Sequence, residues 1–364
     1  MSELSENSVK DALKKVFYPG VAKDVVQSGV VKKITVAGTE ATLTVVLPTM
    51  VLAPAAKTKL EDELRAAATA AGARKVTLDV SVKVASLPPP ADKARLTGVK
   101  NVIAVASGKG GVGKSTVATN LALALSRWGA KVGMLDADVF GPSVPQMLGT
   151  PQKPVGGTAE KRIGPAEYYG MKVISVAFFV EKDAAVVWRG PMVHKLLEQF
   201  MTDVDWGELD YLVIDLPPGT GDVQLSLSQL VPITGAVMVT TPQQVAIIDV
   251  VKGISMFKKV EIPIVGVIEN MSYYVCPACG HHDNIFAHGG GQDLAKAVDT
   301  EFLGEIPIDA RVRHGGDSGV PIVVGVPEGE HAKIFMGLAE RVAGRVVSHV
   351  LSGPRRSASL VAIK

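Results

Sequence analysis

One stretch, Gly108-Lys109-Gly110-Gly111-Val112-Gly113-Lys114-Ser115-Thr116, limits what this chain can fold into. It follows an apolar run, Val102 to Ala106 with Ser107, and opens a helical pattern from Ser115 to about Trp128. A strand feeding a glycine loop and then a helix is the setting of a phosphate-binding loop. The glycines let successive N–H groups turn inward at an anion, and the helix N-terminus adds its dipole. Lys114 is then placed to reach terminal phosphates, and the Ser115 hydroxyl to coordinate Mg²⁺. The spacing G-x-x-x-x-G-K-S is complete. The chain reads as a nucleotide-binding protein, and Gly108 to Thr116 are its expected nucleotide contacts.

Downstream of Lys100 the pattern repeats the same grammar. Val102–Ala106, Lys131–Leu135, Tyr211–Ile214, Ala236–Thr240 and Ile264–Ile268 are apolar, β-branched runs bounded by turn residues. Helical stretches around 115–128, 222–231, 244–258 and 330–349 follow most of them. Continuous apolar strands with helical crossovers predict an α/β fold, a mostly parallel sheet covered by helices on both faces. Upstream, residues 1–85 read as a small α+β domain. Val9, Ala12, Leu13 and Val16 share a helical face, and Val30–Val36 and Ala41–Leu47 alternate as strands about an Ala37-Gly38-Thr39-Glu40 turn. A helix over Ala55–Ala71 stopped by Gly72 and a strand over Lys75–Val84 complete it. The Pro88-Pro89-Pro90 stretch makes 86–98 a semi-rigid linker. That leaves 99–350 for the nucleotide-binding domain and 351–364 as a small, polar tail expected to be disordered.

Composition narrows the partners. A formal charge of +2, with charged residues at 20%, supplies no broad basic field for nucleic acid. Ala41 to Ala56, the longest apolar stretch, is broken by Pro48 and Pro54 and is too short for a bilayer. The N-terminus lacks the basic-then-apolar order of a secretory signal and is acidic where a transit peptide would carry arginine. A cytoplasmic protein with neither nucleic acid nor membrane as partner is expected.

Strand ends are where ligands gather in such sheets. One strand ends Met134-Leu135-Asp136-Ala137-Asp138, another Leu212-Val213-Ile214-Asp215, followed by Leu216-Pro217-Pro218-Gly219-Thr220-Gly221-Asp222. A hard cation wants carboxylate oxygen, so Ser115, Asp136 and Asp215 are the Mg²⁺ candidates, Asp215 first among them. Asp136 or Asp138 could also position the attacking water. Asn270 ends the run Ile264–Glu269, where an amide can pair with an adenine edge.

Only two cysteines occur, Cys276 and Cys279, within Tyr274-Val275-Cys276-Pro277-Ala278-Cys279-Gly280-His281-His282. Two thiolates at that spacing can hold one soft metal centre. A structural zinc would need His281, His282 or His288 to complete four ligands. A redox disulfide usually opens a helix, and a covalent haem site needs histidine where Gly280 stands. The fourth reading joins two cysteine pairs across a dimer into the Cys₄ set of an iron–sulfur cluster.

Lys109 is not required by an ordinary phosphate loop. Gly108 to Thr116, with that lysine, resembles the deviant Walker loop of the MinD/ParA/nitrogenase-iron-protein class of ATPases. In that class the extra lysine reaches across a dimer to the partner's nucleotide. The resemblance implies a homodimeric P-loop ATPase. Lys109 would be its signature lysine, Asp138 the switch-one carboxylate and Asp215 the start of switch two. Lys109, Lys114 and Asp138 would then serve ATP hydrolysis.

The full set of motifs is more specific. Leu135-Asp136-Ala137-Asp138 with Gly141-Pro142-Ser143, Trp188-Arg189-Gly190-Pro191-Met192, Asp215 to Asp222, Glu269-Asn270-Met271-Ser272 and Cys276-Pro277-Ala278-Cys279-Gly280 follow the loop in order. Over about residues 95–345 this resembles the Mrp family of iron–sulfur cluster carriers. It implies a [4Fe-4S] cluster on Cys276 and Cys279 of two subunits, ATP and Mg²⁺, an assembly scaffold as donor and apo iron–sulfur proteins as acceptors. His281, His282 and His288 would then be solvated loop residues. The stretch Val21 to Val31 is similar to a domain related to iron–sulfur assembly factors. Where some relatives carry cysteine, this chain reads Leu47-Pro48-Thr49-Met50, so that domain is expected to contact partners or the ATPase body. The alternatives are a ParA/MinD-like spatial organiser that uses ATP to bind DNA or membrane, and an ATPase with a zinc knuckle.

Overall fold

The computed structural model describes residues 4–88, 96–139, 141–149, 162–179, 190–219 and 221–352. Linker residues 89–95, Trp188 and Arg189, Thr220 and the tail from 353 lie outside the described residues. The chain divides into two compact units, one of residues 1–86 with 343–364, the other of residues 87–342.

In the first unit α1 (Glu6–Leu13) starts at Ser5, whose hydroxyl accepts from Ser8 N while the Ser8 hydroxyl accepts from Ser5 N. This reciprocal cap starts the helix before the apolar stripe alone would place it. β1 (Val31–Ala37) and β2 (Glu40–Leu47) form an antiparallel hairpin closed by Ala37 opposite Glu40, with Gly38 at φ 59°. α2 (Pro54–Ala70) has proline in its first turn, where a missing N–H costs nothing. It returns the chain to β3 (Lys75–Val82), which pairs parallel with β2. Val9, Leu13, Leu43, Val45, Leu60 and Leu64 pack into one core, and Val347 from the C-terminal stretch joins it. There Lys23 Nζ donates to Leu351 O at 2.9 Å.

The second unit is built on a nine-stranded sheet. In chain order its first half runs β4 (Val99–Ser107), α3 (Lys114–Arg127), β5 (Val132–Asp136), α4 (Val144–Met147), β6 (Ala166–Tyr168), β7 (Met171–Ser175) and α5 (Gly190–Thr202). Next come β8 (Leu209–Asp215), α6 (Asp222–Leu230), β9 (Gly235–Thr240), α7 (Gln244–Lys259), β10 (Ile264–Val275) and β11 (His282–Asp283). The chain continues with α8 (Gly290–Ala297), β12 (Phe302–Ile308), α9 (Ala310–Ser318), α10 (Ile322–Gly325) and α11 (Glu330–Ser352), whose residues from Ala343 onward belong to the first unit. The strand order is β11-β10-β9-β4-β8-β5-β7-β6, with β12 also on β10. All ladders are parallel except β10–β11 and β6–β7. The expected sheet is present. Every residue of β5, β8 and β9 is buried, each large aliphatic side chain contributing about 1.5–3 kcal/mol. Because these strands run parallel, Ser107, Asp136 and Asp215 arrive together at one sheet edge.

Two elements differ from the sequence pattern. β12 contains Gly304 and Pro307, which weaken a strand signal but are tolerated on an edge. β10 does not stop near Asn270; it continues to Val275 through a register shift between Asn270 and Tyr274, with Met271 at φ 55°. Among the described residues no helix is long and apolar enough to cross a membrane.

Candidate nucleotide site and cysteine hairpin

β4 delivers Ser107 to the loop and α3 begins at Lys114. The turn depends on Gly111 at φ 83° and Gly113 at φ 80°, a region glycine enters without steric cost. Gly108 serves a different need. A Cβ there would overlap the backbone of Asp249 and Val250, so its absence lets α7 close against the loop. A Cβ on Gly113 would overlap the Asn270 amide. That amide donates from Nδ2 to the Val112 carbonyl at 2.8 Å, tying β10 to the loop backbone. The sequence suggested adenine as its partner; here one of its two amide hydrogens serves the loop.

Lys114 is buried, 5% exposed, among the candidates from other strand ends. Its Nζ lies 2.6 Å from Asp215 Oδ1, 3.1 Å from Ser115 Oγ and 3.5 Å from Asp138 Oδ2. Asp215 is wholly buried; desolvation pushes its carboxyl up, against the pull of Lys114. Its Oδ2 has no hydrogen-bond partner among the described residues. Asp136 is also wholly buried, and burial, then the charge of Asp215, raises it to about 7. Its oxygens accept from Ser175 Oγ at 2.9 Å, Val144 N at 3.2 Å and Asp138 N at 3.2 Å. Asp136 thus anchors the segment that carries Asp138. Lys109 is partly exposed at the loop's rim, its carbonyl accepting from Ser107 Oγ at 3.0 Å.

The segment after Asp215 is laced to the loop strand. Leu216 N donates to Val105 O and Gly219 N to Ser107 O, both at 3.0 Å, while Gln224 Nε2 donates to Pro217 O at 2.6 Å. Asp138 and Asp215 face Lys114 in a desolvated setting, with Asp136 buried behind them. The orphan Asp215 oxygen and the Ser115 hydroxyl are the oxygen donors a hard cation takes. The donor set therefore fits Mg²⁺.

At its other end β10 turns into a hairpin. Tyr274 pairs with Asp283 and Val275 with His282. Cys276 N donates to His281 O at 2.9 Å and Gly280 N to Cys276 O at 2.8 Å, with Gly280 at φ 71°. Both thiols are free of disulfide, Cys276 half-buried and Cys279 exposed. The N–H groups of Ala278 and Cys279 and the Cys279 thiol point at the Cys276 sulfur and hold its pKa below the usual thiol value. Such a thiol is readily a thiolate, the form that binds metal.

Below the tip the histidines are exposed yet partnered. Tyr273 stacks on His282 with centroids 5.5 Å apart, and His288 Nε2 lies 2.8 Å from Glu305 Oε2. Sequence reasoning missed Ser175, Gln224 and Glu305, which reach their partners only through the fold. Glu269 stood in a quoted motif without a role.

Residues 98–343 match the ParA family described as NUBPL iron-transfer P-loop NTPases, and residues 6–84 match an iron–sulfur cluster assembly protein family. An iron–sulfur cluster carrier protein of Haemophilus influenzae is 42% identical over 340 residues, 93% of this chain and 91% of its own. Among solved structures, a nucleotide-binding protein of Archaeoglobus fulgidus in complex with ADP, with cobalt, superposes with a TM-score of 0.57 at 38% identity. That match covers 66% of this chain and 94% of the other. The cell division ATPase MinD of Pyrococcus furiosus superposes at 0.52 and 25% identity, over 66% and 98%.

Proposed function

The chain belongs to the NUBPL iron-transfer P-loop NTPase family, and on that premise we propose that it is an ATP-hydrolysing iron–sulfur cluster carrier. In this reading it acts in the cytoplasm as a homodimer. Cys276 and Cys279 of two subunits hold one [4Fe-4S] cluster, received from an assembly scaffold and passed to apoproteins. The observation that carries it is the continuity of β10, which touches the loop carbonyl of Val112 through Asn270 and runs into Cys276 six positions on. Five residues of one strand, bent at Met271, thus separate the two side chains.

The loop amides bind the phosphates, and phosphate oxygens replace Asp138 and Asp215 as partners of Lys114. Ser115 and Asp215 hold the metal ion and its waters. Bound Mg²⁺ neutralises phosphate charge. Asp136 acts from behind, fixing the segment on which Asp138 orients water. Lys109, at the rim, reaches the nucleotide of the other subunit. The ADP complex of the Archaeoglobus relative supports the nucleotide, and the Haemophilus relative, an iron–sulfur cluster carrier protein, supports the cargo. For ATP to bias delivery it must favour one dimer arrangement over another.

The test is anaerobic reconstitution of the full chain with iron and sulfide, followed by sedimentation with and without ATP. A coloured dimer with about four iron and four sulfide is expected. A monomer holding the whole cluster, or a protein that takes only zinc, would overturn it.

A further inference from the structure

Beneath the cysteine hairpin lies a second set of metal-ligating side chains that the cluster and the nucleotide leave unused. Glu269 on β10, His288 on the loop before α8 and Glu305 on β12 bring one ligand atom each within 4.8 Å of one another. Two opposed bonds of 2.0–2.2 Å span about 4.2 Å, so a small rotation of the exposed His288 and half-buried Glu305 side chains closes the set on one ion.

Charge and proton counting point the same way. Glu269 is fully buried, its carboxylate accepting from Gly289 N at 3.0 Å, Gly291 N at 2.5 Å and Ser272 Oγ at 2.6 Å. Ser272 Oγ also lies 2.9 Å from Glu305 Oε2. A serine hydroxyl has a single hydrogen, so two carboxylates meet across one proton, with the edge of one imidazole as the remaining partner. Gly291 is the residue that allows this approach, since a Cβ there would meet the Glu269 side chain at 3.0 Å. Imidazole with carboxylates suits first-row divalent ions better than Mg²⁺ or a thiophilic centre. His288 and Glu305 keep 44% and 36% side-chain exposure, which leaves an entry path.

We infer that Glu269, His288 and Glu305 form a binding site for a single divalent first-row metal ion, separate from the cysteine pair. An ion there clamps β10, β12 and the entry to α8 together at the base of the hairpin. The site draws nothing from the proposed cluster chemistry and stands if that reading fails.

The test uses the full chain carrying Cys276→Ala and Cys279→Ala, free of nucleotide and Mg²⁺, titrated with Zn²⁺ by calorimetry and with Co²⁺ by visible absorbance. One ion per chain is expected, with Co²⁺ bands lacking the sulfur-to-metal charge transfer of thiolate ligation. His288→Ala and Glu305→Gln should each weaken binding at least tenfold. Because Glu269 caps α8 and its loss could impair folding, it is not the diagnostic variant; circular dichroism checks the other two. No binding in the cysteine-free chain, or binding unchanged by both variants, would overturn the assignment.

Discussion

The two ends of β10 are built in opposite ways. At Asn270 the strand joins a buried site, with Asp136 and Asp215 fully buried and Lys114 between the carboxylates of Asp138 and Asp215. Past Val275 it leads into an exposed hairpin, where the Cys276 sulfur meets the Cys279 thiol and the N–H groups of Ala278 and Cys279. The contrast teaches where each site keeps its free energy. The nucleotide site stores unfavourable charge inside the fold and is poised for a polyphosphate and a cation. The hairpin stores almost nothing and depends on what docks against it. Substitutions in the first should therefore alter folding and binding together, whereas those in the second should alter binding alone.

The largest effect tests that separation directly. Cys276→Ala or Cys279→Ala should abolish iron and sulfide retention while leaving the melting temperature and ATP affinity unchanged. A cysteine variant that lost ATP binding but kept its cluster would break the comparison. Next in size is Lys114→Ala. It leaves two buried carboxylates without their cation, and breaking a buried pair costs about 3–5 kcal/mol. Denaturant unfolding should show that loss, and nucleotide binding should fall with it. Full stability with impaired binding would mean the lysine is not holding the aspartates in place.

Asp136 sharpens the same point through pH. Its folded value of about 7 stands above the ordinary 3.8. Between those values the folded chain keeps a proton that the unfolded chain has released. Stability therefore falls as pH rises from about 4 to 7, by up to roughly 1.4 kcal/mol per pH unit, and levels off above. Asp136→Asn cannot titrate, so its melting temperature should fall less between pH 5 and 7.5 than that of the parent chain. Equal slopes would show that the proton resides elsewhere in the aspartate group.

How much of this was legible depended on whether partners are close along the chain. The loop, Lys114, Ser115 and the cysteine pair stand in contiguous motifs whose spacing carries their chemistry. The parallel sheet followed from apolar runs, and it put Asp136 and Asp215 beside the loop. What stayed hidden was nonlocal. Ser175 and Val144 hold Asp136 from 39 and 8 positions away. β10 looked shorter than it is because Glu269, Asn270 and Ser272 are polar yet buried, which interrupts the apolar pattern just where the strand is most constrained. Glu305 gave no signal, since nothing in its own neighbourhood announces that His288 and Ser272 will meet it.

Two glycines give the smallest and cleanest contrast. Gly280 sits at φ 71° with nothing within 4 Å of where a Cβ would stand, so Gly280→Ala meets only the backbone cost of the left-handed region, about 1 kcal/mol. Gly108 has an ordinary φ, but a Cβ there would strike the backbone of α7, and the helix or the loop must move. Thermal unfolding of the two variants should show a small shift for Gly280→Ala and a several-fold larger one for Gly108→Ala, with ATP affinity lost only in the latter. Iron loading should persist in Gly280→Ala, because the strained residue still donates its N–H to Cys276 O. If Gly280→Ala instead destabilised the chain as much as Gly108→Ala, the hairpin would be an integral part of the folded core and not an appendage awaiting a partner.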